Sequence, residues 1–375
     1  MRKSTKRNSN WKKRLGEIKP YKPGKPIEEV RREIGLKKVI KLASNENPFF
    51  PPKGVVEAIR RAASDVNRYP DGGSFYLKKA LSGKLKIAPG NIVLGNGSDE
   101  LIVLAIRAFV HPGEEVVVAK PTFLIYHIAS MVEGAVVRAV PLKDMKYDME
   151  AMRKAITPRT KMVFVANPDN PTGTYVNKPD LERFIRSLPR HVVLFLDEAY
   201  YEFARGGDYP ETLMNALRKD KDIIVARTFS KAYSLAGLRI GYAVSREEIA
   251  DVLNKVREPF NINSIAQAAA LAALEDRTGH VKKAVDLATK GKKELYEVFN
   301  DLGLEYVPSR SNFVLVNVER NSTRVFEYLL TKGVIVRDMS GWGLPGFIRV
   351  NVGLPRENKV FIREFRKAMK EIAKS

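Results

Sequence analysis

The sequence predicts an α/β protein. It has a large domain with a mainly parallel, seven-stranded-type sheet covered by helices, and a smaller α+β domain beside it. Three observations carry that expectation. Apolar, β-branched runs of four to eight residues alternate with helical patterns from about residue 55 to residue 245, as strands buried on both faces by crossover helices do. A long helical stretch runs from Ser264 to about Leu302. The remainder mixes strands and helices without the earlier alternation.

The elements follow in order. Residues 1–19 form a basic tail expected to be disordered. "PYKPGKPIEEVRREIG" leads through proline and glycine into a short helix. "PKGVVEAIRRAASDV" is helical, and "GSDELIVLAIRAFV" is a helix whose start carries Gly97, Ser98 and Asp99. Strand patterns come next in "EEVVVAKP", "GAVVRAVPL", "TKMVFVANP", "HVVLFLDEAY", "DIIVARTFS" and "GLRIGYAV". The helical stretch after Ser264 is expected to break near Gly279. "SNFVLVNV" and "GFIRVNVG" are the last strands, with helices around 322–332 and 355–372. The expected domains are residues 51–264 for the large one, and 20–50 with 265–375 for the small one.

Composition limits the chemistry. Hydrophobic residues make up 44% of the 375, enough for a substantial core. With no cysteine and four scattered histidines, thiolate metal sites are excluded and a histidine-rich one is disfavoured. No run approaches the roughly 20 apolar residues of a membrane span, and the basic N-terminus has no apolar segment behind it. A cytoplasmic protein is expected. The net charge of +22 is unusual. The first 19 residues hold eight basic and one acidic residue, so +15 belongs to the body. Nucleic-acid binding is one reading, but no recognised motif accompanies the charge. A solvated lysine-rich surface, or attraction of anionic small molecules, is the other.

"GWGLPG" (341–346) fits the spacing of a dinucleotide loop. Such a loop follows a strand and opens a helix, whereas this one precedes the strand pattern "FIRVNV". It reads as a glycine-rich turn.

Three segments lie at the C-terminal ends of expected strands, where open α/β sheets place ligands: "ANPDNPTGT" (166–174), "DEAYYEF" (197–203) and "RTFSKAYSLAGLR" (227–239). Singly, each has an ordinary reading: a turn, a helix cap at Asp197, a lysine reaching to solvent. Together, on successive strand ends, they point to one site. Lys231 in particular stands among small neutral residues, and a half-buried ammonium is costly unless paired, neutralised or used.

The motifs "LASNENP", "RYPDGG", "GNGSDE", "NPDNPTG", "DEAY", "SKAYSLAGLR" and "IRVNVG" closely resemble those of the fold type I aminotransferases, which use pyridoxal 5′-phosphate. The resemblance spans the chain from about Pro20 to the C-terminal helix. Within that family, "LASNENPF", "RYPDGG" and "GVIVRDMSGWGLPGFIRVNVG" look most like the histidinol-phosphate aminotransferases of histidine biosynthesis. The resemblance implies Lys231 as the amine bonded to the cofactor and the proton carrier, and Asp197 against the pyridine nitrogen. It implies Tyr200 and Asn170 at the ring's phenolic oxygen, with Phe123 stacked on the ring. Ser98, Asp99, Ser230 and Arg239 are implied at the phosphate, with Thr228 a weaker candidate. Tyr69 is implied to reach the cofactor phosphate of a neighbouring subunit, hence a homodimer with shared active sites. Arg349 is implied to bind a substrate carboxylate, Arg337 and Tyr21 a distal phosphate, and Asn45 to line the pocket without an assigned bond. The implied substrates are L-glutamate or 2-oxoglutarate and a phosphorylated amino alcohol. An aromatic or broad-range aminotransferase is the nearest alternative. A phospho-amino-acid decarboxylase and a non-enzymatic nucleic-acid binder stand further off.

Overall fold

The computed structural model describes residues 12–21, 23–36, 38–319 and 321–372. Its centre is a seven-stranded sheet in the order 92–95, 241–244, 222–228, 193–197, 160–166, 115–120 and 136–141. Neighbours pair in parallel except at strand 241–244, which runs against both of its neighbours. Such strands need apolar side chains on both faces, and Val193–Asp197 is buried throughout. Six of the seven were expected. The seventh, Ile92–Gly95, joins the edge of the sheet beside Gly241–Val244.

Register sets the site. Ala166 pairs with Asp197, Asp197 with Ala226, and Thr228 with Gly241. The three segments singled out in the sequence therefore emerge side by side at one edge. Gly241 is required there, since a Cβ would stand 3.0 Å from the Ser98 backbone nitrogen at the start of helix Gly97–Phe109.

A four-stranded antiparallel sheet, in the order 337–338, 347–351, 313–317 and 306–307, has its own core with Phe299, Phe361 and Phe365. Ile40 and Lys41 pair in parallel with Val334 and Ile335, which brings the segment before residue 50 to this part of the chain. The expected helical break occurs: helices Ser264–Glu275 and His280–Asp301 flank Gly279, whose φ is 74°. Ala266, Ala269, Ala270 and Ala273 of the first helix are buried in the core of the large sheet. That helix therefore packs with the large sheet, on the other side of the boundary expected at residue 265.

Residues 1–11 of the expected tail lie outside the described residues. Lys13–Glu17 form a 3₁₀ helix, which corrects the expectation of disorder through residue 19. Arg14 Nη2 donates to the Val132 carbonyl at 3.0 Å, capping the end of helix Leu124–Glu133.

Candidate active site

At the shared strand edge lies a cavity of about 330 Å³. Lys231, Asp197, Tyr200 and Asn170 line it, as do Phe123, Thr228, Ser230 and Arg239. Ser98 and Asp99 stand at one end, and Tyr21, Asn45, Arg337 and Arg349 at the other. The structure thus gathers every expected site residue but one. Tyr69 stays outside, 82% exposed, with its ring stacked on Phe260 at 4.7 Å.

Lys231 follows strand Asp222–Thr228, and its Nζ donates to the Ser44 carbonyl at 3.3 Å. Burial, and next the positive charge of Arg349, pull its pKa from 10.5 down to about 8, with Glu46 and Asp99 opposing. Asp197 ends its strand at 5% exposure. Burial pushes its pKa up to about 6 against the hydrogen bonds it accepts. Those come from the Tyr126 hydroxyl at 2.7 Å and the Ala199 N–H at 3.0 Å. A carboxylate held in this way favours a cationic partner, which would restore its charge.

Sequence reasoning missed Tyr126. It lies in the first turn of helix Leu124–Glu133, and its ring meets that of Phe123, the residue just before that helix, edge to face at 5.6 Å, a contact that only the fold reveals. We expect Tyr126→Phe to weaken cofactor binding by about tenfold or more, because a hydrogen bond to a charged group contributes about 1.5–3 kcal/mol. Titrating the apo-protein with cofactor and following its absorption measures this. Unchanged affinity would show that the contact is dispensable.

The Lys231 amine, the buried acid and the helix start lie in one chamber. Helix Gly97–Phe109 begins without a side-chain cap, so its first turn presents backbone N–H groups and positive dipole to an anion. Arg239 lies across this end, with Nη2 donating to Asp99 at 3.0 Å and Nη1 to Ser230 Oγ at 3.4 Å. Thr228 Oγ1 donates to Ser230 Oγ at 3.0 Å. Gly97, at φ 77°, makes room for the guanidinium, since a Cβ there would come within 2.5 Å of Arg239 Nη2.

The opposite end is built on the small sheet. Arg349 is 5% exposed, donates to the Ala43 carbonyl at 2.8 Å and to Asn170 Oδ1, and lies over the rings of Phe313 and Trp342. Burial, with Arg337 adding to it, lowers its pKa to about 10. The "GWGLPG" turn therefore packs Trp342 against an arginine; a strand follows it, as expected, and no helix. Arg337 is the register partner of Arg349 on the adjacent strand, and its guanidinium faces the Tyr21 ring at 5.9 Å. Two like charges directly opposite each other destabilise a sheet, so this end of the cavity is poised for an anion. Asn45, to which the sequence assigned no particular bond, donates from Nδ2 to the Tyr200 hydroxyl at 2.7 Å. It holds a φ of 54° that asparagine tolerates better than most residues.

A reactive amine and a buried acid on neighbouring strand ends, with an anion cradle at each side, define a fold type I aminotransferase. Residues 37–365 match the model for aminotransferase class I and II, and the chain belongs to that family. It is 48% identical over 352 residues to a histidinol-phosphate aminotransferase of Moorella thermoacetica, covering 94% of this chain and 91% of the other. A solved histidinol-phosphate aminotransferase from Sinorhizobium meliloti, in complex with pyridoxal-5′-phosphate, superposes with a TM-score of 0.88 at 30% identity. That match covers 98% of this chain and 100% of the other. Aspartate aminotransferase of Thermus thermophilus with maleate gives 0.80 at 26% identity, over 98% and 99% of the two chains.

Proposed function

We propose that the protein is a pyridoxal-phosphate-dependent transaminase that converts histidinol phosphate and 2-oxoglutarate to imidazole-acetol phosphate and L-glutamate, within histidine biosynthesis. The observation that carries the substrate class is the register pairing of Arg337 with Arg349 across one end of the cavity. Two guanidinium groups so placed suit a phosphate monoester or a second carboxylate, and the two substrates differ in that way.

The chamber fits the cofactor. An aldehyde finds the Lys231 amine, a protonated pyridine nitrogen finds the buried Asp197, and a phosphate finds the uncapped helix start with Ser98, Ser230 and Arg239. When bound, the cofactor supplies an electron-poor ring that takes up the electron pair left as a proton departs from the substrate carbon. Lys231 Nζ would hold the cofactor and would carry the proton at the substrate carbon. Asp197, fixed by Tyr126, keeps positive charge on the ring. Tyr200, Asn170 and Phe123, which line the cavity, would hold the ring, the first two at its phenolic oxygen and Phe123 against its plane.

A homodimer forms part of the same proposal. Tyr69 and Phe260 form a stacked pair on the surface of the single chain, and Phe50 is 91% exposed. A second copy would cover them and bring Tyr69 to its neighbour's cofactor phosphate. No helix among the described residues is long and apolar enough to cross a membrane, and we place the reaction in the cytoplasm.

Rates with histidinol phosphate and with phenylalanine, each paired with 2-oxoglutarate, test the reading. A phosphate grip contributing about 3 kcal/mol predicts kcat/KM about 100-fold higher for histidinol phosphate. A preference for phenylalanine would replace the proposal with an aromatic aminotransferase, and release of CO₂ would replace it with a decarboxylase.

A further inference from the structure

The loop that carries Lys231 has an unusual support. A turn closes behind it, with the Ser234 N–H donating to the Lys231 carbonyl at 3.1 Å. Ser234 closes that turn at a φ of 61°, in the left-handed region that is costly for a residue with a Cβ. Such a conformation persists only where its surroundings over-determine it. Ser234 Oγ lies 2.8 Å from His280 Nε2. His280 opens helix His280–Asp301 and is 8% exposed, and it does not line the cavity around Lys231.

The imidazole is itself held. Its ring meets Phe49 edge-on at 6.3 Å, and its backbone N–H points at Asp276 Oδ2, 3.4 Å away. The segment that carries Phe49 also provides Asn47, whose Nδ2 donates to the Ala232 carbonyl at 3.0 Å. The turn after Lys231 is thus gripped from two directions by side chains remote from the reacting atoms. Burial pulls the His280 pKa below its ordinary value, Asp276 raises it and Lys283 lowers it. Lys84, Asp276 and Lys282 share a small cavity with the ring. A neutral imidazole at pH 7 follows, able to share a proton with a hydroxyl in either tautomer.

We infer that His280 is a positioning residue for Lys231: its hydrogen bond to Ser234 holds the left-handed turn that keeps the Lys231 amine aimed into the cavity. This rests on the reading of Lys231 as the reacting amine. It assigns work to a histidine that touches neither substrate nor cofactor.

Substitutions on both sides of the bond test it in the cofactor-loaded enzyme. His280→Ala is expected to lower kcat about tenfold, with KM for both substrates changed by less than about twofold. The pH midpoint of the visible absorption of the lysine–cofactor bond should move in the same variant. Ser234→Ala keeps the strained backbone and removes only the hydroxyl, so it should reproduce both effects while leaving His280 in place. Adding Ser234→Gly to His280→Ala should recover most of the lost kcat, because glycine takes the left-handed conformation unaided. Wild-type kcat and an unmoved midpoint in Ser234→Ala would overturn the inference. So would a double variant no better than His280→Ala. A wild-type protein that itself failed to transaminate would instead refute the proposed function.

Discussion

Replacing Lys231 by alanine is expected to reduce turnover on the order of 10⁴-fold or more and to erase the visible absorption of the cofactor–lysine bond. The reason is the dual demand on one nitrogen. In the proposed reaction it would have to be a free amine to attack an aldehyde, and later a proton carrier at the substrate carbon. Lowering its pKa from 10.5 to about 8 raises the neutral fraction at pH 7 by about 300-fold. Because the folded value lies below the ordinary one, capture of cofactor by the apo-protein should speed up about tenfold per pH unit until near pH 8, then level. Stopped-flow absorption on the wild type and spectra of Lys231→Ala check both points. Retained colour and turnover in the variant would remove Lys231 from the chemistry. A capture rate that kept rising about tenfold per unit well beyond pH 8 would show that the amine is not depressed.

The same residues show what a sequence makes legible. Five strands of the large sheet announce themselves because strands buried on both faces must be continuously apolar, as Val193–Asp197 is, while the sixth, Val136–Pro141, shows a β-branched run although most of it is not buried. Strand Ile92–Gly95 spans only four residues between "APGN" and "NGS", so turn chemistry masks it. Strands of two residues, such as Arg337–Asp338, have no period to read. Lys231, Asp197 and Arg239 could be singled out because their segments stand together at successive strand ends and their motifs resemble those of the aminotransferases, although each segment alone has an ordinary reading. Tyr126 could not, since its role depends on which strand its helix packs beside. His280 was one scattered histidine until the fold set its ring against Ser234. The overreach at the N-terminus has a similar cause. Residues 13–17 continue the basic N-terminal run and look like tail until Arg14 meets the carbonyl end of a helix.

Replacing Arg337 by glutamine should raise the KM for histidinol phosphate about 100-fold while changing the rate with L-glutamate far less. Arg337 and Arg349 stand opposite each other on antiparallel strands, where Cβ atoms lie about 5 Å apart. Arg349 is anchored by the Ala43 carbonyl and Asn170 and packed over Phe313 and Trp342, so it is the fixed member and, in the proposed reaction, would serve every substrate. Arg337, half-buried and facing Tyr21, is the member whose charge a phosphate dianion uses most. A charge-assisted contact of this kind contributes about 2–3 kcal/mol, or about 30- to 150-fold. A 2-oxoglutarate carboxylate carries half the charge and, on this proposal, would lean more on Arg349. Selectivity is therefore the diagnostic quantity. An equal loss for both substrates would mean that Arg337 only supports the sheet. A second readout separates binding from catalysis: histidinol phosphate should raise the melting temperature of the wild type more than that of Arg337→Gln, by the mass-action relation between affinity and stability. If both proteins gained equally, the phosphate would have to be held elsewhere, and the arginine pair would lose its claim to define the substrate.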